Sequence, residues 1–343
     1  MLAHPLRRPA RALRAGVNET ARSGRAAPPS AASAAPVALV IAGPTSAGKS
    51  ALALEVAAHL PIEIVCCDSQ QVYVGLDIGT GKPTPRERAA VPHHLLDLVS
   101  PREAFHAARW AELARGVIPA ILARGHLPLV VAGTGLYLRA LLSGLFDAPP
   151  PSASIRARHQ QEAAALGTEA LHARLTSIDP DTAARVMPRD LVRVSRALEV
   201  WEQTGERISV LQRRAAAGAA VPAKVLVLDP PLDELRPRIE RRFDAMMAAG
   251  LLDETRALVA EFGADARGLQ ALGYAQLAQH LAGALPLAAA VSAAKSATST
   301  YARRQRTWFR KQAGAWRCAV PPAARAVRDW WLSEGGGPSP DLL

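Results

Sequence analysis

Residues 43–50 read Gly-Pro-Thr-Ser-Ala-Gly-Lys-Ser, and this octapeptide constrains the fold more than any other stretch of the chain. It fits G-x-x-x-x-G-K-[ST], a loop whose backbone N–H groups cradle phosphate between a strand and a helix. The flanks supply both elements. Residues 37–41, Val-Ala-Leu-Val-Ile, form the short continuous apolar run that a buried parallel strand needs. Residues 51–60 read as a helix whose amino end would aim N–H groups and a positive dipole end at the phosphates. Gly43, Pro44, Thr45, Ser46, Ala47 and Gly48 would form the nest. Lys49 would reach a terminal phosphate, and the Ser50 hydroxyl would ligate Mg²⁺.

The alternation continues. Residues 62–67 read as a second strand ending at Asp68, and 74–92 as a long loop rich in Gly, Pro and Thr. A short strand is expected at 93–98, an amphipathic helix at 105–124 and a buried strand at 129–132. Gly133-Thr134-Gly135 and a helix to about 142 follow. This order implies an α/β, P-loop NTPase-like doubly wound parallel sheet, with ligands beyond the carboxyl ends of the strands. The nest, Asp68 and Thr134 all fall at that edge. Pro149, Pro150 and Pro151 mark a boundary: 37–150 is the first part of the core, and 151–214 a charged helical insertion without strand signals. Residues 215–317 return to the core with a strand at 224–229 and then helices. The tail, 318–343, is Pro/Gly-rich and expected to be disordered beyond Trp331.

An apolar fraction of 49% is ample for a core, and no apolar run has the ~18–20 residues of a membrane span. Three cysteines form no C-x-x-C pair, which suits a reducing cytoplasm and argues against a structural zinc. The net charge is +11. Residues 1–36, with six Arg and one Glu, read as a disordered leader, although their composition would also pass for an organellar transit peptide. The basic remainder suggests an anionic partner, nucleic acid first.

Most P-loop enzymes transfer phosphoryl groups. Here the notable carboxylate is Asp68, placed to take a proton from an incoming nucleophile while the nest holds a phosphorylated substrate; a helix cap is the plainer role. Ser69, Gln70 and Gln71 beside it could read a base edge. Thr134 sits where a backbone must approach a ligand closely, or simply caps a helix. Asp97 is either a Walker-B-like acid or a cap, and His93 and His94 lack the spacing of a metal site. Residues 301–310 interleave Arg303, Arg304, Arg306 and Arg310 with Tyr301, Trp308 and Phe309. Arg pairs with phosphates and aromatics stack on bases, so this helix would pack Trp308 inward and turn Arg304 and Gln305 outward. Arg193 and Arg196, with Arg189, make a second basic cluster or a solvated face.

Taken together these residues resemble the tRNA dimethylallyltransferase (tRNA isopentenyltransferase) family of the bacterial type. The resemblance runs from about 37 to 317. It rests on 43–50, Asp-Ser-Gln-Gln-Val-Tyr at 68–73, Asp-Ile-Gly-Thr-Gly-Lys-Pro at 77–83 and Pro-His-His-Leu-Leu-Asp at 92–97. It continues through Ala-Gly-Thr-Gly-Leu-Tyr at 132–137, Arg-Val-Ser-Arg-Ala-Leu-Glu at 193–199 and Arg-Phe-Asp-Ala-Met at 242–246 with Gly250-Leu251. Gly273-Tyr274, Arg304-Gln305 and Thr-Trp-Phe-Arg at 307–310 complete it. It implies prenyl transfer from dimethylallyl diphosphate to N6 of adenosine 37, next to the anticodon of tRNA. The nest would then hold the diphosphate with Lys49 and Mg²⁺, Arg242 would be a second clamp, and Asp68 the base. Thr134 would contact a base flipped out of the anticodon stem-loop. By the same resemblance Ser69, Gln70, Gln71, Arg156, Val192, Arg193, Val194, Ser195, Arg196, Gln270, Gly273, Tyr274, Arg303, Arg304, Gln305, Thr307, Trp308 and Arg310 match stretches that touch tRNA. A monomer in the cytoplasm, with no membrane association, is the expectation.

Three other readings make different demands. A small-molecule or nucleoside kinase would share the fold but predicts a compact lid, not a basic insertion with an Arg/aromatic helix. A prenyltransferase acting on free adenine nucleotides would need neither. An RNA-binding P-loop protein would not need Lys49, Ser50 and Asp68 intact.

Overall fold

The computed structural model describes residues 37–146, 149–216 and 220–333; the leader at 1–36 and everything past 333 lie outside the described residues. Six strands make one parallel sheet: β1 (Ala38–Ala42), β2 (Ile62–Cys67), β3 (His93–His94), β4 (Leu127–Ala132), β5 (Ala223–Leu228) and β6 (Trp316–Cys318). Their spatial order is β3-β2-β4-β1-β5-β6. β1 is central, and its Val40 pairs with Val130 on one side and Val225 on the other. Every residue of β1 and β2 is buried, because helices cover both faces and leave no solvent side for alternation.

α1 (Lys49–Val56), α2 (Pro85–Ala90), α3 (Ala107–Ala123) and α4 (Gly135–Ser143) belong to the first part of the core. The insertion is α5 (Ala153–Leu166), α6 (Thr168–Ile178), α7 (Pro180–Ala183), α8 (Leu191–Thr204) and α9 (Ile208–Ala216). It has its own apolar cluster, with Leu171, Leu175, Val194 and Leu198 wholly buried. After β5 come α10 (Leu232–Ala248), α11 (Leu251–Phe262), a 3₁₀ turn at Arg267–Gln270, α12 (Tyr274–Leu281), the long α13 (Leu287–Phe309) and α14 (Ala324–Ser333). One core layer holds Trp110, Tyr137, Leu138 and Phe309 against the sheet; the other holds Leu52, Val56, Ile239, Val327 and Trp331. Each fully buried side chain of this size stabilises the fold by ~1.5–3 kcal/mol relative to exposure.

Two expectations need correction. The strand expected at 93–98 stops after His94, because Leu95 and Asp97 take left-handed φ values of 65° and 53°. Lys82 holds that turn: its buried ammonium donates to Asp97 at 2.5 Å, Asp77 at 2.8 Å and the Tyr73 carbonyl at 2.6 Å. Asp97 also accepts from Arg88, so it braces a loop and is no Walker-B acid. Second, the segment 74–92 contains α2, started by Pro85 after a Thr84/Glu87 capping box. The tail, expected to be disordered only beyond Trp331, carries regular structure up to that residue. β6 enters it and α14 follows, with Ala324, Val327 and Trp331 buried and the helix packed on α1. Among the described residues no helix is long and apolar enough to cross a membrane.

Candidate active site

The phosphate nest forms where β1 must turn sharply into α1. Gly43 leaves no room for a side chain: a Cβ there would lie 2.5 Å from the Leu228 carbonyl oxygen on β5. Gly48 takes φ 92°, a conformation that glycine adopts without strain, and directs the N–H groups of α1 outward. Ser46, at φ 61°, accepts that strain without glycine's freedom, and its buried hydroxyl has no partner. Lys49 donates to the Pro44 carbonyl at 2.7 Å. Burial first, and then the Arg242 charge, lower its pKa to about 8. Arg242, from α10, donates to the Thr45 hydroxyl at 3.2 Å and the Thr80 carbonyl at 3.5 Å. Two cations thus converge on the nest, and among the described residues no carboxylate is hydrogen-bonded to either, an arrangement that suits an anion better than an ion pair does.

Asp68 leaves β2 on the same edge. Its Oδ1 accepts from the backbone N–H of Gln70 at 2.8 Å and of Gln71 at 3.4 Å, which is the capping role. Its Oδ2 makes no such bond; it faces Gly133, where a Cβ would lie 3.0 Å away. One oxygen is therefore structural and the other is open to the cleft. Thr134 does not cap α4 with its side chain. Its hydroxyl accepts from the Ser69 N–H at 3.0 Å and donates to the Ser69 hydroxyl at 3.3 Å, tying the exits of β4 and β2 together. Gln71 donates to the Thr80 and Gly81 carbonyls, which fixes the 79–83 loop as one wall.

These elements line one cleft of about 980 Å³. Thr45, Lys49, Ser50, Asp68 and Arg242 share it with Gln270, Arg304 and Gln305, while Phe243 and Met246 add apolar surface. The Arg/aromatic helix does close one side, but not in the expected orientation. Gln305 is turned inward, only 7% exposed, and Trp308 is 36% exposed, lying flat against Gly135, where any Cβ would fall inside the indole. Tyr301 puts its hydroxyl within reach of Thr134 and Gln305; burial and then the Asp68 charge raise its pKa to about 12. No local sequence signal separates such a tyrosine from a core residue.

The residues expected on an RNA surface divide. Arg303 and Arg304 are exposed, and their guanidinium groups have no partner among the described residues; Thr307 and Val192 are exposed too. Arg193 is exposed beside Asp190, and Arg310 is shared with Asp229. Arg156 and Arg196 both reach the buried carboxylate of Glu199. Val194, Ser195 and Tyr274 are buried, so their side chains are removed from direct contact with a macromolecule. Tyr274 instead donates to Glu254 at 2.5 Å and accepts from the Gly79 N–H at 3.0 Å. Glu254 also accepts from the Ile78 N–H, so Glu254 and Lys82 hold the 77–82 loop from two sides. Neither role is carried by a local sequence signal, since the partners come from other elements. Gly273, at φ 92°, makes the turn into α12.

The arrangement offers an anion nest, an open carboxylate oxygen and a basic aromatic rim around one cavity. The family model described as IPP transferase matches residues 71–312, and that of isopentenyl transferase matches 36–97. A tRNA dimethylallyltransferase of Anaeromyxobacter sp. (strain K) is 50% identical over 285 residues, 83% of this chain and 93% of that protein. The full-length tRNA isopentenylpyrophosphate transferase of Bacillus halodurans superposes with TM-score 0.64 at 34% identity, covering 87% of this chain and 97% of its own. A eukaryotic dimethylallyltransferase crystallised acting on tRNA gives TM-score 0.67 at 26% identity, covering 87% of this chain and 76% of its own. Nothing in these likenesses supports a kinase, and with matches spanning most of both partners this chain belongs to the tRNA dimethylallyltransferase family.

Proposed function

We propose that the chain transfers a dimethylallyl group from dimethylallyl diphosphate to N6 of adenosine 37 in the anticodon stem-loop of tRNA, releasing diphosphate. The observation that carries this reading is the split carboxylate: Asp68 Oδ1 is spent on its own turn while Oδ2 stays open in the cleft that holds Lys49 and Arg242. Adenine N6 attacks C1 of the donor, the C1–O bond breaks, and the diphosphate leaves with the electron pair. The N6 proton passes to Asp68 Oδ2. Adenine N6 is a poor nucleophile because its lone pair is delocalised, so positioning supplies much of the rate and proton removal the rest. Lys49, Arg242 and the N–H groups of α1 meet the charge that grows on the diphosphate.

Mg²⁺ fits these residues. Ser50 offers an exposed hydroxyl beside the nest, and Ser46 a buried hydroxyl without a partner. Among the described residues no cluster of three His, Cys, Asp or Glu could hold a metal. A hard ion that keeps waters and takes its remaining ligands from substrate phosphates suits such a site. Bound, it would neutralise charge on the leaving diphosphate.

Exposed Arg303, Arg304 and Arg193, with the exposed Trp308 indole, would bind the RNA backbone and a base. One chain supplies every group, so the reading needs only a monomer, acting in the cytoplasm. The test is to incubate the protein with unmodified tRNA, radiolabelled dimethylallyl diphosphate and Mg²⁺, and to digest the RNA to nucleosides for mass spectrometry. N6-dimethylallyladenosine without any ATP is the expected product. ATP consumption that phosphorylates a metabolite, with unlabelled RNA, would overturn the reading.

A further inference from the structure

We infer that Gln305 is a positioning residue that locks the RNA-facing helix to the diphosphate nest, rather than a reader of RNA. The inference rests on the proposed prenyl transfer. The Gln305 side chain leaves α13 on the face opposite Arg303 and Thr307 and is buried. Its amide spans two loops. Oε1 accepts from the Thr45 N–H at 3.0 Å, and Nε2 donates to the Gly133 carbonyl at 2.7 Å. The partners settle the amide's orientation, since one loop offers only a donor and the other only an acceptor. Thr45 lies inside the nest, and its hydroxyl also receives Arg242. Gly133 lies opposite the open oxygen of Asp68 and next to Thr134. The bridge therefore sets the gap between the leaving-group site and the base, from a helix whose other face is open to RNA.

The consequence is geometric. The reacting atoms must be held near 3–3.5 Å, and a displacement of 1 Å costs about a hundredfold in rate. No other side chain spans that distance with the same polarity. Asparagine is one methylene too short. Glutamate cannot donate to Gly133 and adds negative charge facing the diphosphate. Leucine keeps the bulk and loses both bonds, leaving the Thr45 N–H and the Gly133 carbonyl unpaired in a buried place.

The test compares Gln305→Asn, Gln305→Leu and Arg303→Ala. Inorganic pyrophosphate binding, without RNA, is followed by calorimetry; tRNA binding without donor by filter retention; and kcat and KM by transfer assay. Thermal unfolding shows whether each variant is folded. The bridge predicts pyrophosphate affinity about tenfold weaker in Gln305→Asn, kcat down about a hundredfold, and tRNA affinity unchanged. Arg303→Ala, outside the cleft lining, should do the reverse, weakening tRNA binding and leaving pyrophosphate binding alone. Gln305→Asn that weakens tRNA binding while pyrophosphate binding stays at the wild-type level would overturn the inference and return Gln305 to RNA recognition. Were Gln305→Leu too unstable to purify, Gln305→Asn alone decides between the two. A wild-type protein that fails to prenylate tRNA refutes the proposed function instead, and the pyrophosphate and tRNA measurements still report on the bridge.

Discussion

Replacing Asp68 by asparagine separates its two oxygens. The asparagine oxygen can keep accepting from Gln70 and Gln71, now at 2.8 and 3.4 Å, so the turn out of β2 survives. What disappears is the open Oδ2 as a proton acceptor. A positioned general base contributes ~10²–10⁴-fold, or about 3–5 kcal/mol of barrier. The substitution also removes a negative charge felt by both Lys49 and Arg242. Diphosphate affinity should therefore hold or tighten while catalysis falls. Single-turnover transfer with labelled donor and saturating tRNA measures the chemical step, and calorimetry with inorganic pyrophosphate measures the nest. The expected result is a rate ~10²–10⁴-fold lower with pyrophosphate binding no weaker than wild type. A rate within tenfold of wild type would refute the assignment of Oδ2 as base. Weakened pyrophosphate binding would refute the claim that Oδ1 alone holds the turn.

Lys49, with a pKa near 8 in the free protein, gives a pH signature. Its charge is present below that value and lost above it, so pyrophosphate affinity should fall about fivefold between pH 8 and pH 9, and Lys49→Arg should flatten the profile relative to wild type. Glu63 predicts acid behaviour: the Arg124 hydrogen bond, with His94 and His126 also at the carboxylate and burial opposing, holds its pKa at about 2 against 4.5. A depressed carboxylate stabilises the fold above its unfolded pKa, so about 3 kcal/mol should be lost as pH falls from 4.5 toward 2, and Glu63→Gln should remove that part of the acid transition in calorimetric scans. Gly135→Ala would push the Trp308 indole off its seat; tRNA should bind about tenfold more weakly with pyrophosphate binding retained, and equal tRNA affinity would deny Trp308 a stacking role.

What was readable from the chain was local chemistry. The nest at 43–50, Asp68 at the end of an apolar run and the three-proline boundary each depend on residues adjacent in sequence, and the structure brings the nest and Asp68 to one sheet edge. The orientation of α13 was not readable, because Gln305 and Trp308 are polar and apolar in the conventional sense yet sit the other way round. Gly133 and Thr45, both remote in sequence, supply the bonds that make burying an amide favourable, and Gly135 supplies the flat floor that lets an indole lie at the surface. Tyr274 and Lys82 were obscured for the same reason, since their partners Glu254 and Asp97 come from other elements. The helix in the tail did leave a signal, the spacing of Ala324, Val327 and Trp331 at i, i+3 and i+7.

That helix has a bearing on how the protein is made. It lies against α1, and Pro321 just ahead of it comes so close to Gly48 that a methyl there would be 3.2 Å from the ring. A ribosome releases residues 43–50 long before it releases 321–331. The grip on pyrophosphate is thus backed by a segment that emerges late, and a nascent chain stalled short of Trp331 would carry a nest without its buttress.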